Sequence, residues 1–368
     1  MFKSIKEILN LQDSNLNLFE EIYSNKYLTN NSLYELLRDS YNLNKNQINK
    51  LEKLLLEENT KIENDVKITV MINTFNRVSE LKNCIDSILM QTYTNYEIII
   101  MDDNSTDETE EYCRKLLKDD RIKYFKNTEN KGQAWSKKEY FSKGNGKYII
   151  FCDDDDYYID REFFAKAIKI IESKTCINCV CANSLIKYED KNKYVFEKLN
   201  FKNMISAYKY LENFQLKYIK PNSTFPVLFR RKTLLKNGIL EMDMINDSSI
   251  YLRSLISNGR IYVLEDVVGI YRVHKTNVTK RLKVDFILEN MNEKKKIYEF
   301  LKEYAKEINA EEWYEKQVSF TIYYYLTNSK CSKKDMKKLR DWCKKNTGKN
   351  KYKILLKILK IQIKKKIG

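Results

Sequence analysis

Tyr148-Ile149-Ile150-Phe151-Cys152-Asp153-Asp154-Asp155-Asp156 is a short apolar run that ends abruptly in four consecutive carboxylates. Its apolar half is β-branched and aromatic, follows the turn-forming Lys143-Gly144-Asn145-Gly146, and is too short for a helix, so it predicts a central strand. Four adjacent carboxylates repel one another and resist desolvation. The run suits either a solvated acidic loop or helix N-terminus, where a helix dipole stabilises negative charge, or a set of ligands for a hard divalent cation.

Upstream the same texture repeats. Val66-Lys67-Ile68-Thr69-Val70-Met71-Ile72 predicts a strand, Asn73-Thr74-Phe75-Asn76-Arg77 a polar turn, and residues 79–91 a helix. A second strand over 96–101 runs into Asp102-Asp103-Asn104-Ser105-Thr106-Asp107, which opens a helix to about 117. A third strand over 122–125, a loop over 127–132 and a helix over 134–141 then lead to the strand at Tyr148. Alternating strands and helices predict a parallel sheet with crossover helices, and such sheets bind ligands at the carboxyl ends of their strands. Three polar loops are therefore expected on one sheet edge.

Composition narrows the class. The 368 residues, 43% hydrophobic and 12% aromatic, describe a globular chain with room for a large domain and an accessory region. Only 2 Pro and 8 Gly argue for much helix and against a loop-rich all-β architecture. The net charge of +16 suits nucleic acid, an anionic membrane surface or phosphorylated substrates. The lysines are dispersed and the central loops acidic, so no nucleic-acid partner is expected. Eight Cys without an N-terminal signal pattern fit a reducing cytoplasm, and no apolar stretch reaches the length of a membrane span. Cys176, Cys179 and Cys181 are spaced like metal ligands, but no second pair matches them and 176–186 reads as a buried strand; inert core thiols are expected.

Both flanks read as helical. Ile5, Ile8 and Leu9, then Leu33, Leu36 and Leu37, then Ile48, Leu51, Leu54 and Leu55 recur at helical spacing, which predicts an accessory layer or oligomer contact over 1–64. Beyond a central unit over 65–280, residues 281–368 are helical and basic. There Lys353, Lys357, Lys360 and Lys364 oppose Ile354, Leu355, Ile358, Leu359 and Ile361. That amphipathic pattern suits an anionic membrane surface meeting 353–367, or packing on the chain's own helices.

Taken in order, Thr74-Phe75-Asn76-Arg77, Asp102-Asp103-Asn104-Ser105-Thr106-Asp107, Asn130-Lys131-Gly132 and Gly146-Lys147-Tyr148-Ile149 running into the aspartates resemble the family 2 glycosyltransferases over roughly 66–280. The resemblance implies an α/β GT-A (Rossmann-like) fold, a mostly parallel sheet flanked by helices. It further implies a metal-dependent inverting glycosyltransferase that moves a sugar from a nucleotide-sugar, a UDP-sugar first, to a glycan or lipid-linked saccharide in cell-surface polysaccharide biosynthesis. A peptide or protein acceptor and a catalytically inactive nucleotide-binding member are the alternatives. The place implied is the cytoplasm, with the inner face of the membrane as a peripheral option.

By the same resemblance Thr74, Phe75, Asn76 and Asp103 hold the nucleotide base, and Asn130, Gly132 and Lys137 belong with the donor. Lys137 stands, with Lys138, where the family often has Arg; a solvated helix face explains both equally well. Asp153 and Asp154 are assigned to the donor, and Asp155 and His274 to Mn2+ or Mg2+, with Asp154 or Asp156 sharing that duty because four aspartates leave the register open. Asp102 suits helix capping as well as base binding. Pro221-Asn222-Ser223-Thr224-Phe225-Pro226 leads into Asn246-Asp247, where the family commonly has Glu-Asp; Asp247 is the general base by resemblance and a helix N-cap by local chemistry. Arg272, near His274, is a candidate anion partner.

Overall fold

The computed structural model describes residues 2–10, 18–19, 22–23, 25, 27–55, 65–201, 203–242, 245–274, 277, 282–348 and 354. Among the described residues ten strands form one sheet: β1 (Ile68–Thr74), β2 (Tyr96–Asp102), β3 (Ile122–Lys126), β4 (Tyr148–Asp153), β5 (Tyr157–Tyr158), β6 (Ile177–Tyr188), β7 (Lys193–Phe196), β8 (Met204–Ser206), β9 (Val227–Arg230) and β10 (Arg260–Val273). Their order is β3-β2-β1-β4-β9-β6-β10-β5, with β7 added on β6 and β8 on β10. The block β3-β2-β1-β4 is parallel throughout, as the strand and helix alternation predicts. β6 and β10 are also parallel, but β9 runs antiparallel to both β4 and β6, and β5, β7 and β8 pair antiparallel. The far half is therefore mixed. A short turn suffices between β6 and β7, and a parallel pairing there would need a long crossover.

Alternation splits each parallel strand between two cores. Val70, Ile72, Ile98, Ile100, Ile150 and Cys152 point to one face, and Met71, Ile99, Met101, Ile149 and Phe151 to the other. Among the described residues, α1 (Phe2–Leu9), α2 (Asn30–Ser40) and α3 (Lys45–Leu55) precede the sheet. Their apolar side chains bury Leu185, Val267 and Ile270, and the Ser32 hydroxyl donates to the Val267 carbonyl at 2.8 Å, so the accessory layer docks on β6 and β10.

The first face is covered by α4 (Val78–Leu89) and α5 (Thr109–Leu116), the second by α6 (Gln133–Phe141), and α7 (Phe163–Ser173) returns to the first. α8 (Ala207–Glu212), α9 (Arg231–Lys236), α10 (Asp247–Leu255), α11 (Val284–Tyr304), α12 (Ala310–Asn328) and α13 (Lys333–Asn346) continue the second face as one core. Trp313, Met291 and Tyr251 are all buried in it. Of the amphipathic stripe over 353–367, Ile354 is buried in this core and the rest lies outside the described residues. Among the described residues no helix is long and apolar enough to cross a membrane. Cys179 and Cys181 are core thiols as expected, but Cys176 is exposed, because β6 begins one residue after it.

Candidate functional site

Parallel pairing aligns Thr74 with Asp102 and Asn73 with Asp153, so the loops after β1, β2 and β4 emerge together, as the sequence predicts. β1 lies between β2 and β4, whose connections leave in opposite directions, which opens a crevice at that edge. Asn76 and Asn104 take left-handed backbone conformations, φ 53° and 68°, that Asn tolerates better than most residues. The two loops are then stitched together: Asn76 N–H donates to Ser105 Oγ at 2.9 Å, and Asn76 Oδ1 accepts from Thr106 N–H at 2.7 Å.

Asp102 and Asp103 divide their work. Asp102 accepts from Ser105 N–H at 2.7 Å and from the Tyr124 hydroxyl at 2.5 Å, which makes it a turn former. Asp103 accepts from Lys131 N–H at 2.8 Å, Gly132 N–H at 2.7 Å and Asn127 Nδ2 at 2.8 Å, and so clamps the loop that carries Asn130. Thr74 is buried, its carbonyl accepting from Asp103 N–H at 2.9 Å, while Phe75 and Asn130 are exposed at the rim.

Among the described residues three of the four aspartates meet basic side chains, and Asp156 meets none. Arg77 Nη1 lies 3.0 Å from Asp154 Oδ1 and 2.9 Å from Asp155 Oδ2, and His274 Nε2 lies 2.7 Å from the same Asp155 oxygen. Burial pushes the Asp155 carboxyl up, but the His274 hydrogen bond and the Arg77 charge outweigh it and hold the group below its usual range. Burial and the Asp155 charge carry Asp154 up to about 7 against the pull of Arg77, and burial with its acidic neighbours raises Asp156 strongly. Asp153 is raised chiefly by burial and moderated by Lys137, whose amine sits 3.4 Å away. Sequence spacing gives no sign of Arg77 in this role. Arg272, by contrast, is held by Glu189 at 2.7 Å, and its backbone N–H donates to Asp156 at 3.3 Å.

Oxygens of Asp153, Asp155 and Asp156 lie within 4.8 Å of one another. Three carboxylates form a hard donor set that fits Mn2+ or Mg2+, and the His274 imidazole stands beside them on Asp155. Asp156 Oδ2 is buried with no hydrogen bond, an acceptor that such an ion would satisfy. Asp154 stands outside the trio, fixed on Arg77.

Asp153 and Asp155 open into a cavity of about 890 Å3 that Asp247 also lines. Asn246 caps α10, accepting from Ser249 N–H at 3.0 Å, and Asp247 follows as the first helical residue. Lys137 is 4% exposed and joins the two clusters: its amine is 3.8 Å from Asp247 as well as 3.4 Å from Asp153. Burial disfavours its charge, but Asp153 and Asp247 overcome that and raise its pKa, so the solvated-face alternative for this lysine falls. Lys138 stays half-buried. Lys220, absent from the sequence expectations, lines the same cavity with its amine on the carbonyls of Pro221 and Asn222 at 2.9 and 3.3 Å. Burial lowers its pKa, although Asp247, Asp153 and Asp156 pull the other way. A further wall comes from α11 and α12, through Phe286, Asn290, Lys294, Phe320, Thr321 and Tyr324.

Comparison with known proteins agrees with this geometry. Residues 69–256 match the model of Glycosyl transferase family 2. An uncharacterized glycosyltransferase of Rickettsia conorii is 33% identical over 150 residues, 41% of this chain and 22% of its own length. The GalNAc(5)-diNAcBac-PP-undecaprenol beta-1,3-glucosyltransferase of Campylobacter jejuni is 42% identical over 92 residues, 24% of this chain and 30% of its own length. The chain thus spans less than a third of these curated relatives. Among solved structures, S. aureus TarS 1-349 in complex with UDP-GlcNAc superposes with a TM-score of 0.58 at 15% identity, over 75% of this chain and 79% of that one. The likeness to that structure is one of fold. With the family model covering half the chain, and its strand-end loops converging as described, the chain belongs to glycosyltransferase family 2 and has the GT-A fold.

Proposed function

We propose that the protein is a metal-dependent inverting glycosyltransferase that takes a sugar from a UDP-sugar and passes it to a hydroxyl of a saccharide or lipid-linked saccharide. One observation carries this: Asp247 and the Asp153 and Asp155 carboxylates face a single cavity, joined by the Lys137 amine. Donor and acceptor chemistry then share one cavity. The UDP-GlcNAc in the TarS structure and the undecaprenol-linked substrate in the Campylobacter jejuni relative's name support the choice of donor and acceptor.

In this proposal Phe75 stacks on the base, and Thr74 and Asn76 shape its pocket. Asp103 has accepted three hydrogen bonds, which leaves about one lone-pair site for the base N–H. Asn130, Lys131 and Gly132 lie along the diphosphate. Asp153, Asp155, Asp156 and His274 hold Mn2+ or Mg2+, which when bound offsets the charge growing on the departing diphosphate. Asp154 and Arg77 fix that loop. Asp247 takes the proton of the acceptor hydroxyl while that hydroxyl's oxygen bonds to the anomeric carbon and the bond to the diphosphate breaks on the opposite face. One displacement inverts the centre. We read 65–280 as the catalytic unit, 1–64 as its docked accessory layer and 281–368 as a region that completes the acceptor wall.

Calorimetric titration of the full chain with UDP, GDP and CDP, with and without Mn2+, tests the donor half. UDP binding that requires the metal is expected; binding of none of the three sinks the proposal. Transfer from a UDP-sugar panel to undecaprenyl-diphosphate-linked sugars, with the product anomer read by NMR, tests the rest. A retained anomeric configuration would overturn the inverting step.

A further inference from the structure

The wall made by α11 and α12 carries a charge that sugar transfer does not use. Lys294 is 3% exposed, lines the cavity, and donates its amine to the Thr321 hydroxyl. Among the described residues no carboxylate lies within ion-pair distance of it. Its neighbour Glu293 is committed to Arg253 at 2.6 Å. A buried ammonium without a counter-charge is costly, and burial alone holds this amine's pKa down to about 7. Methionine would fill the same space at no such cost.

The surroundings show where the missing charge would come from. Asn290, one turn earlier on α11, accepts from Asn246 Nδ2 at 3.3 Å, and Asn246 is the residue before Asp247. A helical turn rises about 5.4 Å, so Lys294 stands about the length of a sugar ring beyond the Asn246 contact. Phe286, Phe320 and Tyr324 add aromatic faces to the same wall. Lys220 does not compete, because its amine is taken by backbone carbonyls. The cationic residues near the donor loops, Arg77 and Lys131, follow β1 and β3 and belong to a different wall.

We propose that Lys294, with Thr321 and Asn290, binds a single negative charge, a carboxylate or a phosphodiester, carried by the acceptor next to the sugar that receives the transfer. This rests on the cavity being the acceptor groove of the proposed glycosyltransferase. A monoanion matches the single Lys294 amine, and its arrival supplies the counter-charge that the fold withholds.

The full chain, saturated with UDP and Mn2+, is titrated with three probes: a disaccharide ending in glucuronic acid, the same sugar carrying a glycerol phosphodiester, and the neutral parent disaccharide. At least one anionic probe is expected to bind ten-fold or more tightly than the neutral one, and which does so identifies the source of the charge. Lys294→Met should abolish that preference while its melting temperature shows it folded, and Thr321→Val should reduce the preference less. A preference that survives in Lys294→Met, or wild-type protein with no preference for either anion, overturns the inference alone. Failure of UDP itself to bind overturns the donor proposal and the inference with it.

Discussion

Asn246 takes the capping hydrogen bond of α10, and Asp247 beside it keeps its carboxylate on the cavity wall, 3.8 Å from the Lys137 amine. The asparagine that departs from the family pattern is thus accounted for by local chemistry. Asn is among the best N-caps, and with the cap filled Asp247 is free for other work.

Asp247→Asn should therefore separate chemistry from binding. Loss of a general base costs roughly 10^2 to 10^4 in rate, and a steady-state assay should find that loss with UDP affinity nearly unchanged. Asn246→Ala should do something else, lowering stability by about 1 kcal/mol in denaturant melts. An Asp247→Asn enzyme of wild-type rate would remove the residue from catalysis.

Arg77 bridges the turn after β1 to the aspartate loop through one nitrogen shared by Asp154 and Asp155. Arg77→Met leaves two buried carboxylates short of a cation, and a loss of about 3 kcal/mol is expected. Added Mn2+ should recover part of it, since the ion would occupy the same carboxylate loop; a melting curve indifferent to Mn2+ would count against that site.

The strand ends and their loops were legible because β-branched runs stopping at polar clusters have one simple arrangement, a parallel sheet with its carboxyl edge exposed. The alternation that divides Val70 and Ile72 from Met71 was hidden, because strands covered on both faces show an unbroken apolar run. Arg77 ends the Thr74-Phe75-Asn76-Arg77 turn with no local mark of its role, since nothing nearby tells that an arginine after a turn will meet carboxylates 77 residues on. Lys294 was invisible for the opposite reason. In a helix crowded with lysines, spacing alone suggests a solvated face, and only tertiary packing puts this one inside. Asp156 joined the trio instead of Asp154 because the turn after β4, not the sequence register, decides which carboxylates converge.

Glu97 gives an acid-stability test away from the site. It accepts from the Thr69 hydroxyl and Asn145 N–H at 2.7 Å each and from the Lys123 amine at 2.8 Å. Burial alone would raise its pKa, but these partners overcome burial and lower it. A depressed carboxylate contributes stability that is complete above its unfolded pKa of about 4.3 and is lost as pH falls through the folded value. Between about pH 5 and pH 3 the wild type should lose more stability than Glu97→Gln, measured by urea melts at each pH. Parallel curves would show that Glu97 is not the group responsible.

Gly269 lies behind the aspartate loop, paired with Tyr158 two residues after Asp156. A Cβ there would meet Phe225 Cε2 at 2.4 Å and the Tyr157 carbonyl oxygen at 2.6 Å. Gly269→Ala should cost about 1 to 3 kcal/mol by overpacking and weaken Mn2+-dependent UDP binding through displacement of β5. Unchanged melting would mean that Phe225 yields freely.

The aspartate loop makes the sharpest distinction. Asp153, Asp155 and Asp156 bring oxygens within 4.8 Å of one another, whereas Asp154 stands outside that trio with its Oδ1 on Arg77. Asn at each of the three should reduce Mn2+ affinity by more than the roughly 10- to 100-fold that loss of an outer-shell partner costs. Asp154→Asn acts only through Arg77 and should stay at or below that range, although it removes the same charge from the same loop. Four titrations, with Mn2+ affinity read by calorimetry, decide the matter. Equal losses at all four positions would mean that Mn2+ responds to the summed charge of the loop, and the assignment of three particular ligands would fall.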